Sequence, residues 1–507
     1  AIKRLMSRFA IHEINVDKIL RGQRFIDLYS TSKEILRASV ETYSIKYLEK
    51  LADYVRKCDL EIAGPARRSL EYILEFKSIE SLDSRIKTIV QEYNEDDCRA
   101  TRALHLWLEQ LRDTQLAKGA NFTRGELIDG NPKKEQSEHE ARLKNLYEEL
   151  VSPINGEPQT EEEKARWLLA HLVHYFDREK KNEWWEFFRV HKMEVDELYE
   201  EKSAIAGLTF LSEVPKTGRQ KKARYKYSFP IQEIQIDVGA EIHEVNGDKL
   251  GDLEEINVDE QTLVISQDPE RRPSLVHAIN KFKSKTLEDA LIAVIQDFKV
   301  NGIHNNKKYK AARDLLLRNH PNISGFKKTD RLIKDETRLI EESIVIASSM
   351  QETVLAIQGP PGTGKTFTGA KIVLALVKAG KKIGVTAVSH KVIRNFLSKV
   401  YEFAKEENFQ DKVSLLHKTS ISENAPNWLT EVDDNEGAID CIKAGNVVGG
   451  TTFLWANNLA IDKLDYLIVD EAGQMSLANV LAASRAASNL VLLGDPQQLE
   501  QPQKGAH

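Results

Sequence analysis

The spacing of apolar residues changes several times along the chain. In YNEDDCRATRALHLWLEQLR, the residues Ala100, Ala103, Leu104, Leu106, Trp107 and Leu108 fall mostly on one face of a helix. That spacing predicts a helix starting near Tyr93. The next run, LAKGANFTRGELIDGNPKKEQSEHE, is polar and carries Gly and Pro, so it reads as a linker. From Thr160 the pattern is helical again. Thr160 and Glu163 stand at the spacing of a capping box, with Trp167, Leu168, Leu172, Tyr175 and Phe176 behind them. NEWWEFFRV continues the aromatic content, and rings at helical spacing read as core.

The period then becomes two, at Ile234, Ile236 and Val238, followed by Gly247, Gly251 and TLVIS. This predicts a small all-β module of short strands. After about residue 281 a helix-rich stretch leads into VLAIQ, IGVTAV, NVVGGTT, YLIVDEAG and LVLLGD. Apolar strands alternating with helices predict an α/β fold, a parallel sheet covered on both faces.

Composition narrows the class. The 507 residues favour about three domains, and 41% apolar with 30% charged residues suits a globular protein with real cores. A formal charge of −6 gives no global attraction to nucleic acid, so any such contact must be a local basic patch. Cys58, Cys98 and Cys441 are far apart and form no CxxC pair. That spacing argues against a disulfide framework or a zinc ribbon, and points to a reducing, cytoplasmic setting. No apolar run reaches the ~18 residues that cross a bilayer, so no membrane partner is expected.

GPPGTGKT, Gly359–Thr366, satisfies G-x-x-x-x-G-K-[ST] at every fixed position. A predicted strand precedes it and a predicted helix follows. Gly359, Pro360, Pro361, Gly362, Thr363 and Gly364 would wrap backbone N–H groups around an anion at a helix N-terminus. Lys365 would reach the outer phosphates and Thr366 would ligate Mg²⁺, which together imply ATP and Mg²⁺ as cofactors. In YLIVDEAGQ, Asp470 and Glu471 end a strand at the side where ligands bind in such sheets. Asp470 is expected to hold the metal and Glu471 to activate water. In LLGDPQQLEQ, Gln498 is placed to sense the terminal phosphate.

These residues carry a resemblance. Residues 281–507 are similar to the first motor domain of a superfamily 1 helicase of the senataxin and nonsense-mediated-decay group. GPPGTGKT, DEAGQ and GDPQQL occur in that family's order. The resemblance implies a RecA-like P-loop domain. It implies single-strand contacts through Ser389, His390 and Asn395 of VTAVSHKVIRNFL, and through Thr451 or Thr452 of VVGGTTF. Val388 departs from the family's usual proline, and Gln351 lies too close to the loop to be its adenine-reading glutamine. The β module resembles the small barrel that these helicases carry on a helical stalk. Ahead of the module, KTGRQKKARYKY sets Lys216, Arg219, Lys221, Lys222, Arg224 and Lys226 beside Tyr225 and Tyr227. It reads either as a single-strand grip or as a solvated loop.

At the front, Tyr93 and Asp97 are four apart, so both face one side of their helix. This Y-x-x-x-D layout resembles DnaQ-like, RNase H-fold 3′–5′ exonucleases. FIDLYSTSKEILRASVETYSIKYLEKL resembles predicted RecB-like nucleases fused to such helicases. By that resemblance Asp97 would ligate one of two metals and Tyr93 would position water. Asp27 does not form the expected D-x-E strand, so the metal site reads as a remnant of a partial domain.

The expected organisation is an RNase H-like portion over 1–112, a connector over 113–158, a stalk with a barrel over 159–280, and a motor domain over 281–507. The expected function is the ATP-binding part of a helicase joined to a nuclease-like domain, acting on single-stranded or partly duplex DNA or RNA. A non-unwinding ATPase switch and a binding module with an inactive nuclease fold stay open. Only nine residues follow Gln498. A second motor domain is therefore expected to be missing from this chain, and with it arginines worth ~10³–10⁵ in rate in comparable phosphoryl transfers. Slow hydrolysis and no translocation follow from that expectation.

Overall fold

The computed structural model describes residues 12–22, 24–76, 79–124, 127–131, 134–191, 193, 195–215, 222–245, 247–268, 271–279, 284–305, 308–422, 425–499 and 501. They form two compact units, residues 12–134 and the residues from 135 onward. Among them no helix is long and apolar enough to cross a membrane.

The described part of the first unit is built of helices, without a strand. The longest spans Ser84–Ala117 and starts at Asp83, whose carboxylate accepts from the Arg85 N–H at 2.8 Å. Tyr93 therefore lies inside this helix and not at its start. The helix also overruns residue 112, because no breaker appears before Gly119. Leu48, Leu104 and Leu108 form a small core with Tyr43, Trp107 and Leu111.

In the second unit, helices Lys134–Val151, Glu161–Val173 and Tyr175–Val190 make the stalk. The capping box is reciprocal: the Glu163 N–H donates to the Thr160 hydroxyl at 3.1 Å, and the Thr160 N–H donates to the Glu163 carboxylate at 2.9 Å. Helices Lys285–Asn301 and Lys310–Leu316 share this stalk core through Leu291, Val294, Ile295 and Leu316. Ala478, Leu481 and Ala482 of the motor belong to the same core, so stalk and motor are continuous through these two helices. Tyr175, Phe176 and Phe187 are buried, as the aromatic spacing implies, whereas Trp167 is exposed and lies against His171.

The β module comprises β1 (Ala204–Ala206), β2 (Thr209–Val214), β3 (Ala223–Ser228), β4 (Glu241–Glu244), β5 (Lys249–Asn257), β6 (Thr262–Gln267) and β7 (Leu275–Ile279). They pair in the order β1-β7-β4-β5-β6-β3-β2. β1 and β2 are consecutive, so one stretch of chain pairs with β7 by its first half and with β3 by its second. The sheet thereby closes on itself around Tyr225, Tyr227, Leu253, Leu263 and Ile265. The Ile234–Val238 alternation does not form a strand. This segment is irregular, and the Gln235 N–H donates to the Lys202 carbonyl instead of joining a ladder.

The motor sheet holds β8 (Val354–Gln358), β9 (Ile383–Thr386), β10 (Ser414–Lys418), β11 (Leu429–Val432), β12 (Asn446–Gly449), β13 (Leu464–Val469) and β14 (Ala487–Gly494). All pairings are parallel, in the order β11-β10-β12-β9-β13-β14-β8. Helices Lys365–Lys378 and His390–Glu406 bury Val373, Leu376, Phe396 and Val400 in one core. Trp455, Val480 and Ala483 belong to another core. Parallel pairing with β-rich apolar strands and intervening helices is the layout that the alternation predicts.

Candidate nucleotide and nucleic-acid site

Because the strands are parallel, their C-terminal ends share one edge. That edge divides in two. The loops after β8, β13 and β14, adjacent strands, carry the phosphate loop, DEAGQ and GDPQQ. The ends of β9, β12 and β10, also adjacent, carry Ser389, Thr451 and His417.

On the first half, Gly362 and Gly364 take left-handed backbone angles, φ 81° and 85°, which glycine adopts without strain. The loop Pro360–Gly364 is exposed and ends at the N-terminus of the Lys365–Lys378 helix. The Lys365 ammonium donates to the carbonyls of Gly359 and Pro360 at 2.7 and 3.0 Å. The Thr366 hydroxyl stands 3.4 Å from the Asp470 carboxylate. Asp470 is buried, and that burial pushes its carboxyl up to about 6. Among the described residues no ion pair is formed by Asp470. Glu471 has φ 52°, a left-handed geometry that costs a non-glycine residue of order 1–3 kcal/mol. One of its carboxylate oxygens, Oε2, is buried without a partner. A threonine hydroxyl and two carboxylates are hard oxygen donors, and such a set fits Mg²⁺ beside a bound triphosphate.

The second and third loops are locked together. A Cβ on Gly473 would lie 2.3 Å from the Asp495 carbonyl oxygen, so only glycine lets these backbones approach. The Gln474 amide donates to the Gln498 side-chain oxygen at 3.3 Å. The Gly359 N–H donates to the Gly494 carbonyl at 3.2 Å, which ties the phosphate loop to GDPQQ. The sequence pointed to Gln498 and missed Gln474.

On the second half, the Ser389 hydroxyl accepts from the Val392 N–H and caps the His390–Glu406 helix. His390 and Asn395 are exposed. Thr451 is partly exposed, whereas Thr452 is buried. His390 Nδ1 lies 3.1 Å from Nε2 of the buried His417, a residue the sequence reading passed over.

The basic stretch before the barrel, read either as a grip or as a solvated loop, is described from Lys222 onward. Lys216, Arg219 and Lys221 lie outside the described residues. Arg224 is buried, pairs with Glu254 and Glu255, and donates to the Pro215 carbonyl. Lys222 faces Asp252 at 3.5 Å. Tyr225 and Tyr227 fill the barrel core. Period-two alternation in β3 thus turns the rings inward, away from any base.

In the first unit, Asp97 is ion-paired with Arg56 at 2.8 Å, and Arg56 is also bidentate to Glu49 at 2.8 Å on each arm. The Tyr93 ring lies under Arg56, 5.6 Å from ring centre to guanidinium. A guanidinium already neutralises the expected metal ligand, so these residues do not fit a divalent ion as they stand. The neighbouring Asp96 is fully buried and accepts from the Tyr54 hydroxyl and from the N–H groups of Lys57 and Cys58 at 2.8–2.9 Å.

The comparisons with known proteins agree with this division. Residues 342–507 match the model of an AAA domain, and residues 1–109 match that of the RNase_H superfamily. The chain therefore joins an AAA-type P-loop domain to an RNase H-like domain. It is 30% identical over 177 residues to the DNA replication ATP-dependent helicase/nuclease DNA2 of Saccharomyces cerevisiae. That match covers 33% of this chain and 11% of the yeast protein. It is 25% identical over 201 residues to the RecBCD enzyme subunit RecD of Buchnera aphidicola, covering 38% of this chain and 31% of that one. These alignments thus span well under two thirds of either relative. Superposition on an arterivirus nonstructural protein 10 (helicase) gives a TM-score of 0.25 at 12% identity over 56% of this chain and 48% of that one, too low to define a shared fold.

Proposed function

We propose that the chain is the ATP-binding part of a superfamily 1 helicase, in the senataxin and nonsense-mediated-decay group, joined to a nuclease-like unit. The convergence of Lys365, Thr366, Asp470 and Glu471 at one sheet edge carries this reading. In it Lys365 binds the outer phosphates of ATP, and Thr366 and Asp470 hold Mg²⁺. The ion, when bound, shields charge on the transferred phosphoryl oxygens. Glu471 orients the attacking water and takes its proton, for which its unpartnered Oε2 is suited. Gln498 senses the terminal phosphate, supported by its bond to Gln474.

The complete protein would couple turnover to movement along a single strand held at His390, Asn395 and Thr451. It would use a second motor domain to complete the ATP cleft. A reducing cytoplasmic setting accords with three free cysteines. No cutting step is assigned to Asp97.

Binding of a fluorescent ATP analogue tests the reading. Lys365→Ala should abolish Mg²⁺-dependent binding, whereas Glu471→Gln should keep it. In the complete protein Glu471→Gln should lower turnover by ~10²–10⁴. Equal nucleotide binding by the Lys365→Ala chain would remove the assignment.

A further inference from the structure

On the proposed nucleic-acid half of the edge, His390 sits in a polar cluster whose other members the motor reading leaves without a task. His390 is the first residue of its helix and is exposed. His417 is the next-to-last residue of β10 and is 1% exposed. The rings meet at 3.1 Å through Nδ1 of His390 and Nε2 of His417. Their centroids are 5.2 Å apart and their planes 48° inclined. The other nitrogen of His417, Nδ1, is buried without a partner. One turn along the same helix, Arg394 pairs with the buried Glu431 of β11, which also accepts from the N–H and hydroxyl of Ser422. Lys418 is a further cation whose charge acts on His390.

Two imidazoles at this distance share one proton across the contact. Glu431, the nearby carboxylate, is already engaged by Arg394 and Ser422, and among the described residues no carboxylate hydrogen-bonds either ring. Burial holds His417 down at about 4, with the charges of His390 and Arg394 adding to it. Burial, then Lys418 and Arg394, hold His390 below its ordinary value. The buried ring is therefore the worse place for a positive charge. A proton added to the pair resides on His390, whose Nδ1–H then donates to Nε2 of His417. That bond fixes the His390 ring with its Nε2–H directed away from His417.

We propose that His417 is a positioning residue that makes His390 a proton-gated contact for the phosphate backbone of a single strand. This rests on the proposed nucleic-acid function. It adds that binding tightens as the solution becomes acidic, and that a buried side chain unable to touch the strand sets the response. A phosphate dianion or monoanion near His390 would draw the proton on, as anions do for any cationic partner. The same linkage makes the pair take up a proton when a strand binds.

Fluorescence anisotropy with an oligothymidylate at constant salt, from pH 8 to 5.5, provides the test. Affinity should rise by about fivefold across that range, the worth of one solvent-exposed ionic contact. His390→Gln should flatten the profile. His417→Leu should flatten it as well while leaving MgATP binding intact. His417→Gln, whose amide can replace Nε2 as acceptor, should restore the slope. A full slope in His417→Leu, or in His390→Gln, would overturn the proposal and leave the nucleic-acid reading in place. Failure of the unmodified chain to bind at any pH would overturn both.

Discussion

Thr366 and Asp470 stand 104 positions apart in the chain, yet the threonine hydroxyl lies 3.4 Å from the carboxylate. One belongs to the helix after β8 and the other to the end of β13, with β14 between the two strands. Burial without an ion pair leaves Asp470 with a carboxyl at about 6. A raised carboxyl favours the folded state while protonated. The penalty is absent below about pH 4, grows as pH rises from 4 to 6, and is complete above 6. Its size is ~3 kcal/mol, from a shift of roughly two units.

Asp470→Asn should therefore raise the melting temperature of the nucleotide-free chain at pH 7.5 and leave it unchanged near pH 4. The same variant should lose the stabilisation that MgATP gives the parent. Thermal denaturation with and without MgATP at the two pH values checks both statements.

The close approach of Gly473 to Asp495 makes a second case. Gly473→Ala places a methyl 2.3 Å from a backbone carbonyl, where no side chain can rotate out of the way. The expected cost is ~1–3 kcal/mol of stability. The contact between Gln474 and Gln498 should loosen with it. Urea denaturation gives the first quantity. In the complete protein, turnover should fall more than MgATP affinity does.

In the first unit, adjacent aspartates should behave differently. Asp96 accepts three hydrogen bonds in a buried site. Burial would raise its carboxyl, but the bonds from Cys58, Tyr54 and Lys57 and the charge of Arg56 outweigh it and hold the group below the ordinary value. Such a group contributes stability above the unfolded carboxylate value of ~3.9, lost as pH falls through the folded one. Asp96→Ala should cost ~1–3 kcal/mol, since each donor left behind is unsatisfied. It should also weaken the acid dependence of unfolding below pH 4. Asp97→Asn should cost less, because Arg56 keeps Glu49.

Arg313 tests the joint between stalk and motor. It is 1% exposed, pairs with Asp297 at 2.7 Å and sits 4.1 Å over the Phe298 ring. Arg313→Ala takes the cation from the part-buried Asp297, which keeps its bond from the Asn301 amide, and should cost ~1–3 kcal/mol. Replacing Arg313 by Met and Asp297 by Leu together should recover most of that loss. Chemical denaturation of the single and double variants measures the difference.

Much of the nucleotide half was readable in the sequence for a physical reason. A parallel strand is buried on both faces, so YLIV and LVLL are unbroken apolar runs. The polar residue that ends such a run must sit at the ligand edge. The same rule would have found His417 at the end of SLLH. Asp96 and Asp97 could not be ranked, because helical spacing gives a direction but not what lies there; Tyr54 and Arg56 come from a distant segment. The barrel's first strands were missed because β2 is exposed along most of its length and shows no alternation. The Ile234–Val238 segment alternates, yet its hydrogen bonds go outside any ladder.

The pairing of β1 with β7 places the point where the chain enters the barrel beside the point where it leaves, with Ala204 opposite His277. Flanking stretches on either side of this excursion fold back into one helical core. The barrel is thus a detachable cassette: a short turn joining its two feet could replace it while the P-loop domain keeps its own scaffold.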